Sequence, residues 1–502
     1  MRTSGLGRFS LGQPMPARPH AVCVNLPTVA DLVGYEEKHP DTLSKMPSGY
    51  PRFVRHHFIQ QMIDLLEQED PLPGYSGYLF KKYSDCQQYL KMYGVKDGTI
   101  RQGGGFTFLR LPYPSPHQKS IAAFLQNTGC SVSSREAENF LWERGKLEAR
   151  EVLAETDTPE GLIKQTIARA HGPEVQEGDI LLSTSGANAF YAAFTCAHKQ
   201  ALQSNKNTWV RLGWLYLDTI EVMNAHTSGT GQALSFHQVG DMQALEELFS
   251  AKGDQIAGVM TEFPTNPLLQ ATDLGQIRNL CDRHGALLLV DPTMVSPKNA
   301  KITHLADIVI NSLTKYAGWE GDVMMGSLAF PRNSARGRAL FDAVADKICP
   351  PYHRDLLRMA EQIPHYEDFI GKTNQASMEV AHFLASHAKV KRLHWAYQPG
   401  FGENYRKLAG EKSPGCNLSF EIVGNFERFY NRLEMLKSPS FGTEFSNCCP
   451  YVYLAHYGMM QTEAGRKELH EAGISPHLLR LSVGLEDTSD IIRALERALE
   501  NA

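Results

Sequence analysis

Nowhere in the 502 residues do two cysteines stand in C-x-x-C spacing, and no stretch of about 18 uninterrupted apolar residues occurs. The first absence removes the usual sign of a structural zinc site, and no metal is expected. The second leaves nothing to span a membrane. Basic charge is not in excess either: 50 Lys and Arg face 55 Asp and Glu, a formal net charge of −5. The chain therefore lacks the electrostatic footprint of a nucleic-acid binder. The opening MRTSGLGRFSLGQPMPARPH has no apolar core of a secretory signal and reads as a disordered tail. The nine cysteines are scattered, and the adjacent Cys448 and Cys449 read as small buried hydrophobes. Reduced thiols and a cytoplasmic location are the expectation.

What is present can fill a large core, since 42% of residues are hydrophobic and 21% charged. Three regions separate on pattern. Residues 1–110 form an irregular N-terminal extension rich in Pro, Tyr and His, closed by Gly103-Gly104-Gly105. No strand-then-helix phosphate signature follows that run, so it reads as a flexible turn. Residues 111–350 alternate short apolar runs with helical periods. Residues 351–502 begin helically and then mix strands with helices.

The middle region predicts an α/β architecture. Ile256–Glu262 is a short apolar run, and Leu274, Ile277, Leu280 and Cys281 share one helical face stopped by Gly285. Ala286–Val290 is wholly apolar and ends at Asp291; Ala306–Ile310 ends at Asn311. Strands apolar on both faces and separated by helices imply a parallel sheet covered on both sides. In such sheets ligands sit beyond the carboxyl ends of the strands, where Asn266, Asp291 and Ser312–Lys315 fall.

Taken alone, a lysine at a strand end is a solvated charge. In Asn311-Ser312-Leu313-Thr314-Lys315-Tyr316, however, two hydroxyls at i and i+2 precede it. Such a loop can donate to a phosphate while Lys315 reaches a carbonyl carbon. Asp291 is the sole charge at the end of a buried strand and requires a cation, such as a protonated pyridine nitrogen. Upstream, Ser183-Thr184-Ser185-Gly186-Ala187 opens a helical stripe of Phe190, Ala193, Phe194, Ala197 and Ala201, a turn able to present N–H groups to an anion. Lysine, carboxylate and phosphate donors together are what pyridoxal 5'-phosphate (PLP) demands of a protein.

The strings TSGANAF (184–190), TEFPTNPLL (261–269), LLLVDPT (287–293), ADIVINSLTKY (306–316) and LLRLSVGLEDTSDI (478–491) resemble the Cys/Met-metabolism PLP enzymes. The resemblance implies a fold-type I PLP-dependent transferase, with a large α/β domain, a smaller C-terminal domain and a homodimer or homotetramer. It also implies roles. Lys315 is the Schiff-base lysine and proton shuttle, Asp291 pairs with the pyridine nitrogen, and Asn266 bonds the phenolic oxygen. Tyr216 stacks on the ring, although the glycines that follow it in the family are missing. Gly186, Ala187, Ser312 and Thr314 hold the phosphate, and Arg480 grips the substrate carboxylate.

Two departures stand out. For the Tyr-x-Arg pair that the family supplies across the dimer, the match adopted is Ser133-Ser134-Arg135, which retains only Arg135. The family's Ser-Leu-Gly-Gly becomes Ser440-Phe441-Gly442-Thr443-Glu444, keeping Ser440 beside the substrate. These departures, with PHAVCVNLPTVADLVGYEE (19–37) and GYPRF (49–53), resemble the long fungal-type branch of cystathionine γ-synthases. The implied reaction is γ-replacement, O-acyl-L-homoserine plus L-cysteine giving L-cystathionine, on the route to methionine. A lyase, a synthase using another nucleophile, and a PLP-binding relative without catalysis remain alternatives.

Overall fold

In the computed structural model, residues 3–46, 49–50 and 53–502 are described. Seven strands make the central sheet, in the order Ile180–Ser183, Gly326–Ala329, Ile308–Ser312, Leu287–Asp291, Ile256–Glu262, Thr208–Leu212 and Gln232–Phe236. All neighbours are parallel except Gly326–Ala329, which runs antiparallel to both of its own. Alternation along one strand serves two cores: Leu288 and Val290 pack on one face, Leu287 and Leu289 on the other. Each such side chain contributes roughly 1.5–3 kcal/mol by leaving water, which is why Leu287–Asp291 carries no polar residue until its last. The helix Leu274–His284 buries Leu274, Ile277, Leu280 and Cys281, and Gly285 ends it in the left-handed region at φ 60°.

Register places the chemistry. Leu287–Asp291 pairs with Gly258–Glu262, so the two carboxylates stand side by side at the carboxyl edge of the sheet. Helices His353–Gln362 and Tyr366–Ser386 lead into a five-stranded sheet ordered Val390–His394, Asn417–Ile422, Leu479–Ser482, Asn447–Pro450 and Leu436–Lys437. The terminal helix Thr488–Glu500 packs Ile491, Leu495, Ala498 and Leu499 with Leu418 and Phe420 of this sheet.

The N-terminal region is not irregular. It holds helices Val29–Glu36, His57–Glu69 and Tyr83–Met92, and an antiparallel sheet ordered Tyr75–Phe80, Phe106–Pro112, Thr99–Gly103. The glycine run is the hairpin turn of that sheet, with Gly104 and Gly105 at φ 64° and 80°, a region that glycine enters without penalty. Nor are residues 3–20 a tail. Pro14–Met15 pairs with Cys23–Val24, the Gly5 N–H donates to Glu486 Oε1 (2.7 Å), and Met15, Val22 and Cys23 pack with Leu436 and Phe445. Composition hides such anchors because their partners lie some four hundred residues away in sequence. No helix among the described residues is long and apolar enough to cross a membrane. All nine cysteines are free thiols, buried except for Cys196.

Candidate active site

A cavity of about 120 Å³ opens at the carboxyl ends of the central strands. The C-terminal domain covers it through Ser440, Phe441 and Arg480, and the N-terminal segment through Tyr50 and Phe53. The turn following Ile308–Ser312 delivers Lys315, 8% exposed, into this space. The next residue clamps the turn: Tyr316 donates its hydroxyl to Met294 O (2.8 Å), accepts from Cys416 N (3.0 Å), and gives its own N–H to Gly442 O (2.9 Å). The Lys315 Nζ lies 3.1 Å from the Tyr50 hydroxyl, and 5.2 and 5.6 Å from the ring centroids of Tyr50 and Phe441.

Two acids line the same cavity. Burial pushes Asp291 up to about 6, against the pull of a 2.8 Å bond from Thr293 N–H and of the Lys315 charge. Glu262 is raised further, first by burial and then by the Asp291 charge. Its oxygens accept from the backbone N–H groups of Tyr216 (2.6 Å) and Asn266 (3.0 Å), so Glu262 sets the positions of both residues. A buried and a half-buried carboxylate beside a cavity suit a cationic ligand.

The helix Gly186–Gln203 starts at the same cavity, its Ser185 cap accepting from Asn188 N–H (3.2 Å). First-turn N–H groups have no partner within a helix and suit an anion. A side chain at Gly186 would place its Cβ 2.8 Å from Ser312 Cβ, so the helix start and the lysine loop touch only because residue 186 is glycine. Thr314 also lines the cavity, its hydroxyl bridging Met325 O and N (3.3 and 3.1 Å).

On the opposite wall Arg480, 7% exposed, donates to Asn266 Oδ1 (2.9 Å) and to Ser440 O (3.4 Å). Ser440 sits at φ 82°, strained backbone for a residue with a side chain, and its buried Oγ has no hydrogen-bond partner among the described residues. An orphaned hydroxyl and a guanidinium with edges to spare suit a carboxylate.

Lys315, Asp291, Asn266, Tyr216, Gly186, Ala187, Ser312, Thr314, Ser440 and Arg480 thus share one cavity. Arg135 does not join them. It lines a neighbouring cavity, with its guanidinium on Glu151 (2.6 and 3.1 Å), Asp322 O (2.8 Å) and Asp355 (3.3 Å). Within this chain Glu151 and Asp355 already pair its charge. The Tyr-x-Arg spacing instead occurs at Tyr50-Pro51-Arg52, of which Pro51 and Arg52 lie outside the described residues. Tyr50, Phe53, Glu262 and Thr293 are lining residues that sequence reasoning missed. Glu262 carries the same signal as Asp291, an acid closing an apolar strand. Tyr50 carries none in periodicity. Among the described residues two groups lie close enough to share a metal, Asp85–Cys130–Cys349 and His20–Glu138–Glu151. Each already spends a carboxylate on a cation, Lys347 and Arg135 respectively.

Residues 174–500 match the model of the Cys/Met metabolism PLP-dependent enzymes. The chain belongs to that family. Its relatives include the L-2-amino-4-chloropent-4-enoate dechlorinase/desaturase of Streptantibioticus cattleyicolor, 31% identical over 98% of both chains. The cystathionine gamma-synthase of Neurospora crassa is 25% identical, again over 98% of both, so the likeness to fungal synthases runs nearly end to end. Among solved structures, cystathionine gamma synthase from Xanthomonas oryzae pv. oryzae shares the fold at TM-score 0.58 and 23% identity, covering 69% of this chain and 86% of that one. The fold is that of the fold-type I PLP enzymes, and PLP is the cofactor of the family. The site fits it: a carboxylate awaiting a cation, a glycine-lined helix start, and an unpartnered hydroxyl are the complements of its ring nitrogen, its phosphate and a bound amino acid.

Proposed function

We propose that the chain expels a leaving group from Cγ of an L-amino acid and replaces it with the thiol of L-cysteine, converting O-acyl-L-homoserine into L-cystathionine. The single observation that carries the first half is the convergence of Lys315, Asp291 and Arg480 on one buried cavity. The relatives named cystathionine gamma-synthase support the second half. Bound PLP supplies a carbonyl that condenses with amines and a ring that withdraws electrons from Cα. Asp291 keeps a proton on the ring nitrogen, and Asn266 and Tyr216 hold the ring's edge and face. Gly186, Ala187, Ser312 and Thr314 take the phosphate. Arg480 grips the substrate carboxylate and so fixes which Cα bond faces Lys315. The Lys315 amine removes the Cα proton and returns it, while the apolar lid of Phe53, Phe441 and Leu454 keeps water from competing.

A second reading, elimination without replacement, has its own observation. Arg480 is the sole guanidinium among the described residues lining the cavity, and the wall beyond it is Leu217, Met294, Phe441, Leu454 and Ala455. Cysteine would bring a second carboxylate to that wall. The relative named a dechlorinase/desaturase points the same way. Incubation with O-acetyl-L-homoserine, with and without cysteine, decides between them. Replacement yields cystathionine; elimination yields 2-oxobutyrate and ammonia at a rate indifferent to cysteine. Neither product, or full turnover by Lys315→Ala, would sink the proposal.

A further inference from the structure

We propose that His456 is a positioning residue for substrate-carboxylate binding: it ties the segment that carries Tyr216 to the aromatic wall that holds Arg480.

The contact joins the two sheets. Trp214 follows the strand Thr208–Leu212 of the central sheet and stands two residues before Tyr216. It donates its Nε1–H to His456 Nε2 (3.0 Å), and the two rings meet edge to face at 5.0 Å. His456 follows the strand Asn447–Pro450 of the five-stranded sheet by way of the short helix Tyr451–Ala455. An indole N–H can only donate, so Nε2 is the acceptor and the imidazole proton sits on Nδ1. Burial lowers His456 to about 4, which keeps the ring neutral at ordinary pH. The Tyr451 hydroxyl donates to the same nitrogen from 3.3 Å. All three side chains are buried.

Tyr451 carries the effect to the site. Its N–H is fixed on Leu478 O (3.0 Å), directly before the strand Leu479–Ser482. Its ring centroid lies 5.7 Å from the Arg480 guanidinium, and that of Phe441 lies 4.9 Å from it. Two aromatic faces and the acceptors Asn266 Oδ1 and Ser440 O thus narrow the orientations open to this arginine. A bidentate grip on a carboxylate needs one of them. Without the bond to His456, the Tyr451 ring can turn away from the guanidinium, and the cost of ordering Arg480 falls on substrate binding.

The inference rests on Arg480 being the residue that grips the substrate carboxylate. Two probes that differ only in that group, L-2-aminobutyrate and propylamine, are titrated into the holoprotein and followed by the visible absorbance. The ratio of their dissociation constants measures the grip. Arg480→Lys should cut the preference for aminobutyrate about tenfold. An undiminished preference removes the foundation, and the role of His456 falls with it.

His456→Leu should weaken aminobutyrate selectively and cut the preference by a similar factor, with far-ultraviolet circular dichroism matching wild type. His456→Gln, whose amide oxygen still accepts from Trp214, should recover most of it. Trp214→Phe removes the donor from the other side, so it decides the matter should His456→Leu not fold. The double variant should lose no more than either single one, because only one bond is removed. If Arg480→Lys loses the preference while His456→Leu and Trp214→Phe keep it, the positioning role is overturned and the grip of Arg480 stands. Equal weakening of both probes, or no recovery with Gln, also overturns it, since packing alone would give that result.

Discussion

At the scale of single residues, the site is built from groups that share partners. Arg480 divides its guanidinium between Asn266 Oδ1 and Ser440 O, so the side chain proposed for the substrate carboxylate is also braced against the residue proposed for the cofactor ring. A planar fork can do both; an ammonium cannot. Arg480→Lys is expected to raise KM about tenfold to a hundredfold, the loss of one or two charge-assisted hydrogen bonds, with a smaller change in kcat. Steady-state kinetics reads this, and an unchanged KM would mean that the carboxylate binds elsewhere. Glu262 belongs at this scale too. It touches two backbone N–H groups, and burial first and the Asp291 charge second hold its own carboxyl well above the ordinary range.

At the scale of elements, the decisive contact is between the start of the helix Gly186–Gln203 and the loop after Ile308–Ser312. A methyl group at position 186 would meet Ser312 Cβ at 2.8 Å and Ser312 Cα at 3.0 Å. Gly186→Ala must therefore push the helix start away from the lysine loop and spread the proposed phosphate donors. PLP affinity is expected to fall about tenfold or more while the sheet and helix content stay intact, since one such lost bond is worth about 1.5–3 kcal/mol. Fluorescence titration of the cofactor-free variant measures it. Wild-type affinity would show that these two elements do not form the cradle together.

At the scale of the whole molecule, pH acts through buried histidines. Burial lowers His171 to about 3, and His56 and His456 to about 4. His456 accepts from Trp214 Nε1 (3.0 Å), a bond that needs its neutral ring. For a base held below its unfolded value of 6.5, the stabilisation is present above about pH 6.5 and is lost as pH falls toward the folded value, on the order of 3 to 5 kcal/mol per group. Asp291 works with the opposite sign. Raised from 3.8 to about 6 without a cofactor, it favours the fold most below about pH 4 and loses that advantage as pH rises through 6. A cation on the ring nitrogen offsets that loss. The urea midpoint of the cofactor-free protein should thus drop between pH 7 and 4.5, and the gain from added PLP should widen as pH climbs from 4 to 7. A flat midpoint, or a cofactor gain independent of pH, would contradict this balance.

The sequence by itself determined the sheet and the chemistry at its edge. Strands buried on both faces must read as unbroken apolar runs, and the first polar residue after each run, Asp291 or the Ser312–Lys315 loop, must emerge at the carboxyl end. Local pattern therefore sufficed for Ile256–Glu262, Leu287–Asp291, Ile308–Ser312 and the helical face of Leu274–His284. Only the tertiary structure decided what closes the cavity. Tyr50 meets Lys315 across 265 positions and Gly5 meets Glu486 across 481, contacts without any period to betray them. Arg135 shows the same limit from the other side: its charge was legible in the sequence, but the acids that neutralise it, Glu151 and Asp355, were brought to it by folding.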